Sequence, residues 1–326
     1  MYEDSCHGMV TMLMRSFLLM CCAFLIAGCP LSPEVKSPLP MAMPLSGQVV
    51  RHPPAFTRVK VIGTLNVNLR TGFRQPHIIL RGNPHDLPQV ITTVINNTLT
   101  ISLRKPFPKF GPIQVDINSQ HLNAFEYHGR GEVTGNQIKT RLLDLILDNN
   151  GRTTLRGQLG LHQVMIIGDG YTEITGINSP FLMLKLSGKS KVRLGGLVNI
   201  SALDIGKGGS LTLYWVKSKV LTVRGRNNAF IQLAGVVEHL DVELWGTSTF
   251  KGRYLRADRA FVKTHDKSIA EISAVKRQHT LAKGASDIQF FNIPVMKADF
   301  MANNGAVLDM RDLGPPYIQE YNQYNK

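Results

Sequence analysis

The stretch LSGKSKVRLGGLVNISALDIGKGGSLTL, residues 186–213, carries the pattern that decides the fold. Around Ser190, apolar residues stand four places before (Leu186), two after (Val192) and four after (Leu194). Around Gly209, 19 residues on, Ile205, Leu211 and Leu213 stand at the same offsets. Each half of the unit alternates with period two, the spacing of a strand with one buried face. Working outward, the same turn position falls at Gly131, Gly151, Gly170, Asn228, Ser248, Ser268, Ser286 and Gly305, with intervals of 18 to 20 residues. Every one of these positions is Gly, Asn or Ser, residues suited to tight or left-handed backbone.

A unit of about 20 residues made of short strands cannot bury an apolar face alone. Stacked as coils, the units bury their inward residues in one column and pair each strand with the next rung. At about 4.8 Å per rung, ten rungs give a rod on the order of 48 Å long. The chain therefore reads as all-β: a β-solenoid, parallel β-helix-like, with about 20-residue rungs over 122–313. A leucine-rich repeat is the nearest rival, because ISALDIGKGG loosely fits its spacing. That fold needs a helix or irregular convex segment, whereas GSLTLYWV and KSKVRLGGL alternate like strands. Residues 56–121 form a short opening β segment, in which VKVIG, LNVNL, HIILRG, TLTISLR and IQVDI alternate between Gly, Asn and Pro breaks. Within it, HDLPQVITTVINN alone has the character of a helical turn, and Pro88 works against it.

Composition agrees with a folded β-rich chain. Of 326 residues, 43% are hydrophobic and 18% charged, which excludes general disorder. A single long apolar run excludes a polytopic membrane protein. That run, SFLLMCCAFLIAG at 16–28, follows Arg15 and is short for a transmembrane helix but right for the core of a signal peptide. It closes on Ile26-Ala27-Gly28-Cys29, which resembles the lipobox of bacterial lipoproteins. The resemblance implies cleavage after Gly28, a lipid (palmitate among its acyl chains) on Cys29 and, with Pro30 next, the outer membrane of a Gram-negative cell. An ordinary signal peptide with an incidental cysteine is the plainer alternative. Glu3 and Asp4 are unusual ahead of a leader, so Met1, Met12 and Met14 all stand as starts.

Residues 29–55 hold the lipidation cysteine and seven of the 17 prolines, and read as a semi-rigid tether. The expected organisation is a 1–28 leader, a 29–55 tether, a 56–313 head domain and a 314–326 polar tail. No cysteine follows Cys29, so the head has no disulfide framework, zinc–thiolate cluster or thiol nucleophile.

The order of FTRVKVIGTLNVNLRTG, IILRGNPHDLPQVITTVINNTLTISL, IQVDI and LNAFEYHGRGEVTG resembles the family described as putative auto-transporter adhesin, head GIN domain. The similarity spans roughly 56–310. It implies a bacterial envelope protein, often a lipoprotein, with solenoid repeats and no established catalytic residues. This chain departs from the family's Ser-Gly-rich turns with GRG, DNNG, GDG, SGKS and GKGG, and its last three rungs are degenerate.

Parallel β-helices also carry polysaccharide lyases and hydrolases, which need carboxylates on neighbouring rungs. Glu126 and Asp204, Asp144 and Asp241, and Glu173 and Glu271 share offsets from the turn but lie four or five rungs apart, so no catalytic pair is expected. The ten histidines are scattered and read as solvated side chains rather than metal ligands, and no cofactor is implied. GDG and GKGG lack the helix and Lys-Ser/Thr of a nucleotide loop.

The feature that stands out is charge: 37 basic against 23 acidic residues, a net +14. Near the turns lie Arg130, Arg152, Lys189, Lys191, Lys207 and Arg226, candidates for holding an anionic ligand. Acidic polysaccharide or lipopolysaccharide fits an exported protein, and nucleic acid is not expected. The plain alternative is that these residues keep an exposed solenoid soluble. The favoured reading is a lipid-anchored, non-enzymatic, adhesin-like solenoid. Its alternatives are a carbohydrate-active enzyme on the same scaffold and a periplasm-facing structural lipoprotein.

Overall fold

The computed structural model describes residues 46–104, 108–292 and 297–311. The leader, Cys29, most of the tether and the 314–326 tail lie outside the described residues.

Among those residues the chain is β throughout, apart from one 3-10 turn at Leu87–Gln89. Eight long strands make the body: β9 (Val133–Asn149), β10 (Arg152–Ile166), β11 (Tyr171–Leu186), β12 (Lys191–Ile205), β13 (Ser210–Gly225), β14 (Phe230–Leu244), β15 (Thr249–Thr264) and β16 (Ile269–Lys283). Each is one rung, broken mid-way by register shifts into a first and a second arm, and each pairs in parallel with the next. Two shorter strands, β17 (Asp287–Phe290) and β18 (Lys297–Asn303), continue the two arms, and β19 (Ala306–Asp309) closes on β17. The solenoid and its rung length are as the periodicity demands.

The expected inward residues Val192, Leu211, Phe250, Ala270 and Ile288 are buried, and Ile231, which the expected turn at Asn228 did not place inward, completes their rung-to-rung row. In the second arm Leu147, Ile166, Leu186 and Ile205 likewise pair rung to rung and are buried, and Leu244 continues the buried column beyond Gly225. Dry columns of this kind supply roughly 25 cal/mol per Å² of apolar surface withdrawn from water.

The turn column differs from expectation at one place. The registers Ser210↔Phe230 and Phe230↔Thr249 put Ala229, not Asn228, beside Gly209 and Ser248. Asn228 is exposed and Ala229 buried. The column is therefore Gly131, Gly151, Gly170, Ser190, Gly209, Ala229, Ser248, Ser268, Ser286 and Gly305, selected for small size rather than for left-handed backbone. At Gly170 a Cβ would lie 2.0 Å from the Gly151 carbonyl oxygen of the preceding rung. At three of the column's serines the hydroxyl donates back three residues, from Ser248 to Trp245 O at 2.8 Å, from Ser268 to His265 O at 2.7 Å and from Ser286 to Lys283 O at 2.8 Å, whereas the buried Ser190 hydroxyl makes no such bond.

A second column had no counterpart in the sequence reading. Positive φ recurs at Gln137, Gly157, Gly176, Gly196, Trp215 and Gly235, where the first arm bends into the second.

The opening segment both starts and caps the stack. β2 (Arg58–Ile62) and β3 (Asn66–Thr71) form a rung lying between β8 (Ala124–Gly129) with β9 on one side and β6 (Thr98–Leu103) with β7 (Gln114–Ser119) on the other. Beyond them the pairing turns antiparallel, through β5 (Val90–Ile95) on β6 and β4 (His77–Gly82) on β7. β1 (Gly47–Arg51) then pairs with β4, so the ordered head begins inside the segment read as tether rather than near Phe56. Gly47–Arg51 contains no proline and can serve as an edge strand.

Candidate functional site

Alternation along the first arms turns residues i, i+2 and i+4 outward. Parallel register then lays them out in rows. The first row runs Arg152, Tyr171, Lys191, Ser210 and Phe230 on successive rungs. The second runs Thr154, Glu173, Arg193, Thr212 and Gln232, and the third Arg156, Thr175, Gly195 and Tyr214. Arg152, Arg156, Lys191 and Arg193 are exposed, with Glu173 as the one carboxylate among these rows. Arg152 and Lys191, two rungs apart, stand about 10 Å from each other. The Arg152 guanidinium lies 5.2 Å from the Tyr171 ring centroid, which fixes one cation over an aromatic face.

Of the six basic residues expected to act together, the rungs unite three. Arg152 and Lys191 share a row, and Lys189 is exposed in the turn leading into β12. Arg130 and Lys207 are exposed in other turns. Arg226 sits past the end of a second arm, with Nη2 3.0 Å from Asp204 Oδ1 and its guanidinium 5.9 Å from the Trp245 ring. Proximity to the turn therefore does not make one rib. The structure adds Arg156 and Arg193, which period-two counting from Arg152 and Lys191 would have found.

The second arms present a groove of about 710 Å³. Ile146, Met165, Met183 and Ala202 give it an apolar lining, with Arg58 and Lys60 toward one end, Arg224 toward the other and Lys185 on the Met183 rung between them. Its acids are largely engaged. Glu126 takes Lys60 Nζ at 2.9 Å and His128 Nε2 at 2.6 Å, and Asp144 takes His162 Nδ1 at 3.0 Å. Burial opposes the Glu126 charge, but hydrogen bonds and charge from His128 and Lys60 outweigh it and hold its pKa below the ordinary value. Asp241, further along, is pushed up by burial and by Glu243, against the pull of Lys263 and Arg224.

Histidines read as solvated prove to be paired on this side. His128, His162, His265 and His279 each lie within 3.5 Å of a carboxylate oxygen. His128 also bridges two rungs, with Nδ1 3.5 Å from Asp148. Glu126 and Asp148 are thus carboxylates on neighbouring rungs, staggered by two residues, which a search for shared offsets passes over. No group of three or more His, Cys, Asp or Glu with metal-binding geometry occurs among the described residues.

The family model described as putative auto-transporter adhesin, head GIN domain, matches residues 55–202 and again 177–294. No curated protein matches the chain. Among solved structures, it is similar to a putative lipid binding protein from Parabacteroides distasonis (11% identity, TM-score 0.41, covering 81% of this chain and 96% of that one). A putative adhesin from Parabacteroides merdae aligns at 16% identity and TM-score 0.42, covering 81% of this chain and 95% of that one. Another, from Bacteroides fragilis, aligns at 15% identity and TM-score 0.29, covering 81% and 96%.

Proposed function

The chain belongs to the family described as putative auto-transporter adhesin, head GIN domain, and on that premise we propose a non-enzymatic, adhesin-like binding protein of the bacterial cell envelope that grips acidic polymers. The observation that carries the reading is the first-arm face, where Arg152 and Arg156 on one rung and Lys191 and Arg193 two rungs on stand exposed either side of Glu173. Such a lattice repels itself unless a polyanion or counterions lie across it. Acidic polysaccharide or lipopolysaccharide meets that need at an envelope location. The anchor belongs to the same proposal: a lipid on Cys29 would hold the head at the outer membrane.

Two measurements test it. Purified mature chain is incubated with a labelled acidic glycan and sized by chromatography at low and moderate salt. Binding gives a shift to larger size that fades with salt; no shift overturns the basic-face reading, and a shift to smaller glycan would mean cleavage and an enzyme. Separately, Cys29→Ser should move the protein from membranes to the soluble fraction, and unchanged retention overturns the anchor.

A second ligand class is favoured by the groove, whose apolar lining runs between Arg58 and Lys60 at one end and Arg224 at the other, with Lys185 between. A single-chain anionic amphiphile matches both parts of it. Displacement of a fluorescent fatty acid by unlabelled oleate, abolished by Met165→Glu, is the expected result. Equal displacement in that variant would remove the groove from consideration.

A further inference from the structure

The inference concerns the far end of the basic face and rests on the reading of that face as a polyanion site. Trp215 follows Tyr214 where the first arm of β13 bends. Its φ is 69°, in the bend column that β10, β11, β12 and β14 fill with glycine. Its side chain is 73% exposed, so no packing compensates for the left-handed backbone. An indole held in that conformation and given to solvent is an outlier of the kind that marks a functional position.

Beside it is a glycine that the fold does not require. Gly196 needs to be glycine: its φ is +139°, and a Cβ would lie 2.1 Å from the Ile177 carbonyl oxygen. Gly195 has no such reason. Its φ is outside the left-handed range, and the nearest atom to a built Cβ is Thr175 Cγ2 at 3.5 Å, ordinary contact. Glycine inside a strand weakens it, and where packing gives no cause it marks a place where something else approaches the backbone. The register puts Thr175, Gly195 and Tyr214 in one row, with Arg193 two residues before Gly195 on the same face. A bare patch of backbone is thus bordered by an exposed phenol, a hydroxyl and a guanidinium, with the indole next in sequence to the phenol.

We propose that Gly195, Tyr214 and Trp215 form a sugar-ring subsite, so that the acidic polymer taken by this face is a polysaccharide of acidic pyranose units rather than any polyanion. The apolar C–H face of a pyranose packs on an aromatic face, whose negative quadrupole favours it. Its hydroxyls reach Thr175, and its carboxylate pairs with Arg193. A phosphate chain offers nothing to either ring.

The mature chain is titrated with polygalacturonate, which has acidic rings, and with inorganic polyphosphate, which has charge and no rings. Trp215→Ala and Gly195→Ala should each weaken polygalacturonate binding at least fivefold and leave polyphosphate binding unchanged. Gly195→Ala decides the matter if Trp215→Ala lowers the melting temperature enough to cloud its result. The chain's two tryptophans are Trp215 and Trp245. In Trp245→Phe the remaining indole emission should therefore change with polygalacturonate and not with polyphosphate. If both polymers bind and neither variant separates them, the subsite is overturned while the basic face stands. If neither polymer binds the unaltered chain at low salt, the basic face is overturned and the subsite with it.

Discussion

The phenolic oxygen of Tyr127 donates to the carbonyl oxygen of Leu65 at 2.9 Å, tying β8 to a loop 62 residues earlier. The same oxygen accepts the Gly131 amide at 2.7 Å. The ring is fully buried, and burial raises the phenol's pKa despite both bonds. One hydroxyl thus joins the opening segment to the first turn of the repeat.

Tyr127→Phe keeps the ring and leaves the Gly131 N–H and Leu65 C=O without that partner. The expected loss is about 1–3 kcal/mol, the cost of an unmet buried polar group. Urea denaturation of the two proteins checks it through a lower midpoint at an unchanged slope.

The turn column makes opposite predictions for two adjacent-looking positions. Gly170→Ala drives a methyl against the Gly151 carbonyl oxygen, 2.0 Å from the ideal Cβ, with backbone and not a flexible side chain in the way. It should destabilise by about 1–3 kcal/mol. Asn228→Ala, at an exposed position, should change stability by no more than about 0.5 kcal/mol. Thermal melts that gave the two variants equal shifts would refute the packing account of the column.

The period of the repeat and its inward residues were legible because burial leaves its mark on every rung, as at Leu186, Ile205 and Leu244. The register near Asn228 was not, because residue type alone cannot separate an outward Asn from an inward Ala one place on. The basic face was half legible. Arg152 and Lys191 stood out by charge, but Arg156 and Arg193 join them only once the arm's alternation is combined with rung pairing. GSLTLYWV alternates like a strand straight through Trp215, and that residue's left-handed φ belongs to a bend column that local alternation does not reveal. The placement of β2 and β3 between β6/β7 and β8/β9 was not legible at all, since non-sequential pairing leaves no trace in local alternation.

Charge reversal should separate the two groups of basic residues. The pair Arg152→Glu and Lys191→Glu, on one row, should weaken acidic-glycan binding on the order of tenfold at low salt. Arg226→Glu should have little effect, since Arg226 is already held at 3.0 Å by Asp204 on the other side of the turn. Binding isotherms at two salt concentrations check both statements, and equal losses would return the ligand to the turns.

Glu126 gives the acid limb a specific contributor. Its pKa lies below the ordinary 4.5, so its stabilisation is complete above that value and is lost as pH falls through the lower folded-state value. Glu126→Gln should therefore be less stable than the unaltered chain at neutral pH, and the difference should shrink below about pH 4. A difference that persisted undiminished in denaturation curves at acid pH would show that the carboxylate's charge is not what Lys60 and His128 hold.

Trp215 sets stability against binding, and the choice of replacement exposes the conflict. In the left-handed region a Cβ costs roughly 1–2 kcal/mol, which glycine avoids. Because the indole is 73% exposed, removing it gives up little buried surface. Trp215→Gly would restore the residue found at this bend in β10, β11, β12 and β14. It should be more stable than Trp215→Ala by about 1 kcal/mol, and no less stable than the unaltered chain, after allowing for glycine's greater freedom when unfolded. Both variants should lose the same binding to polygalacturonate. Melting temperatures rank the backbone effect and titrations rank the ligand effect, so the two are read independently. If Trp215→Gly proved clearly less stable than the unaltered chain, the indole would be supporting the bend, and its exposure would no longer argue for a ligand.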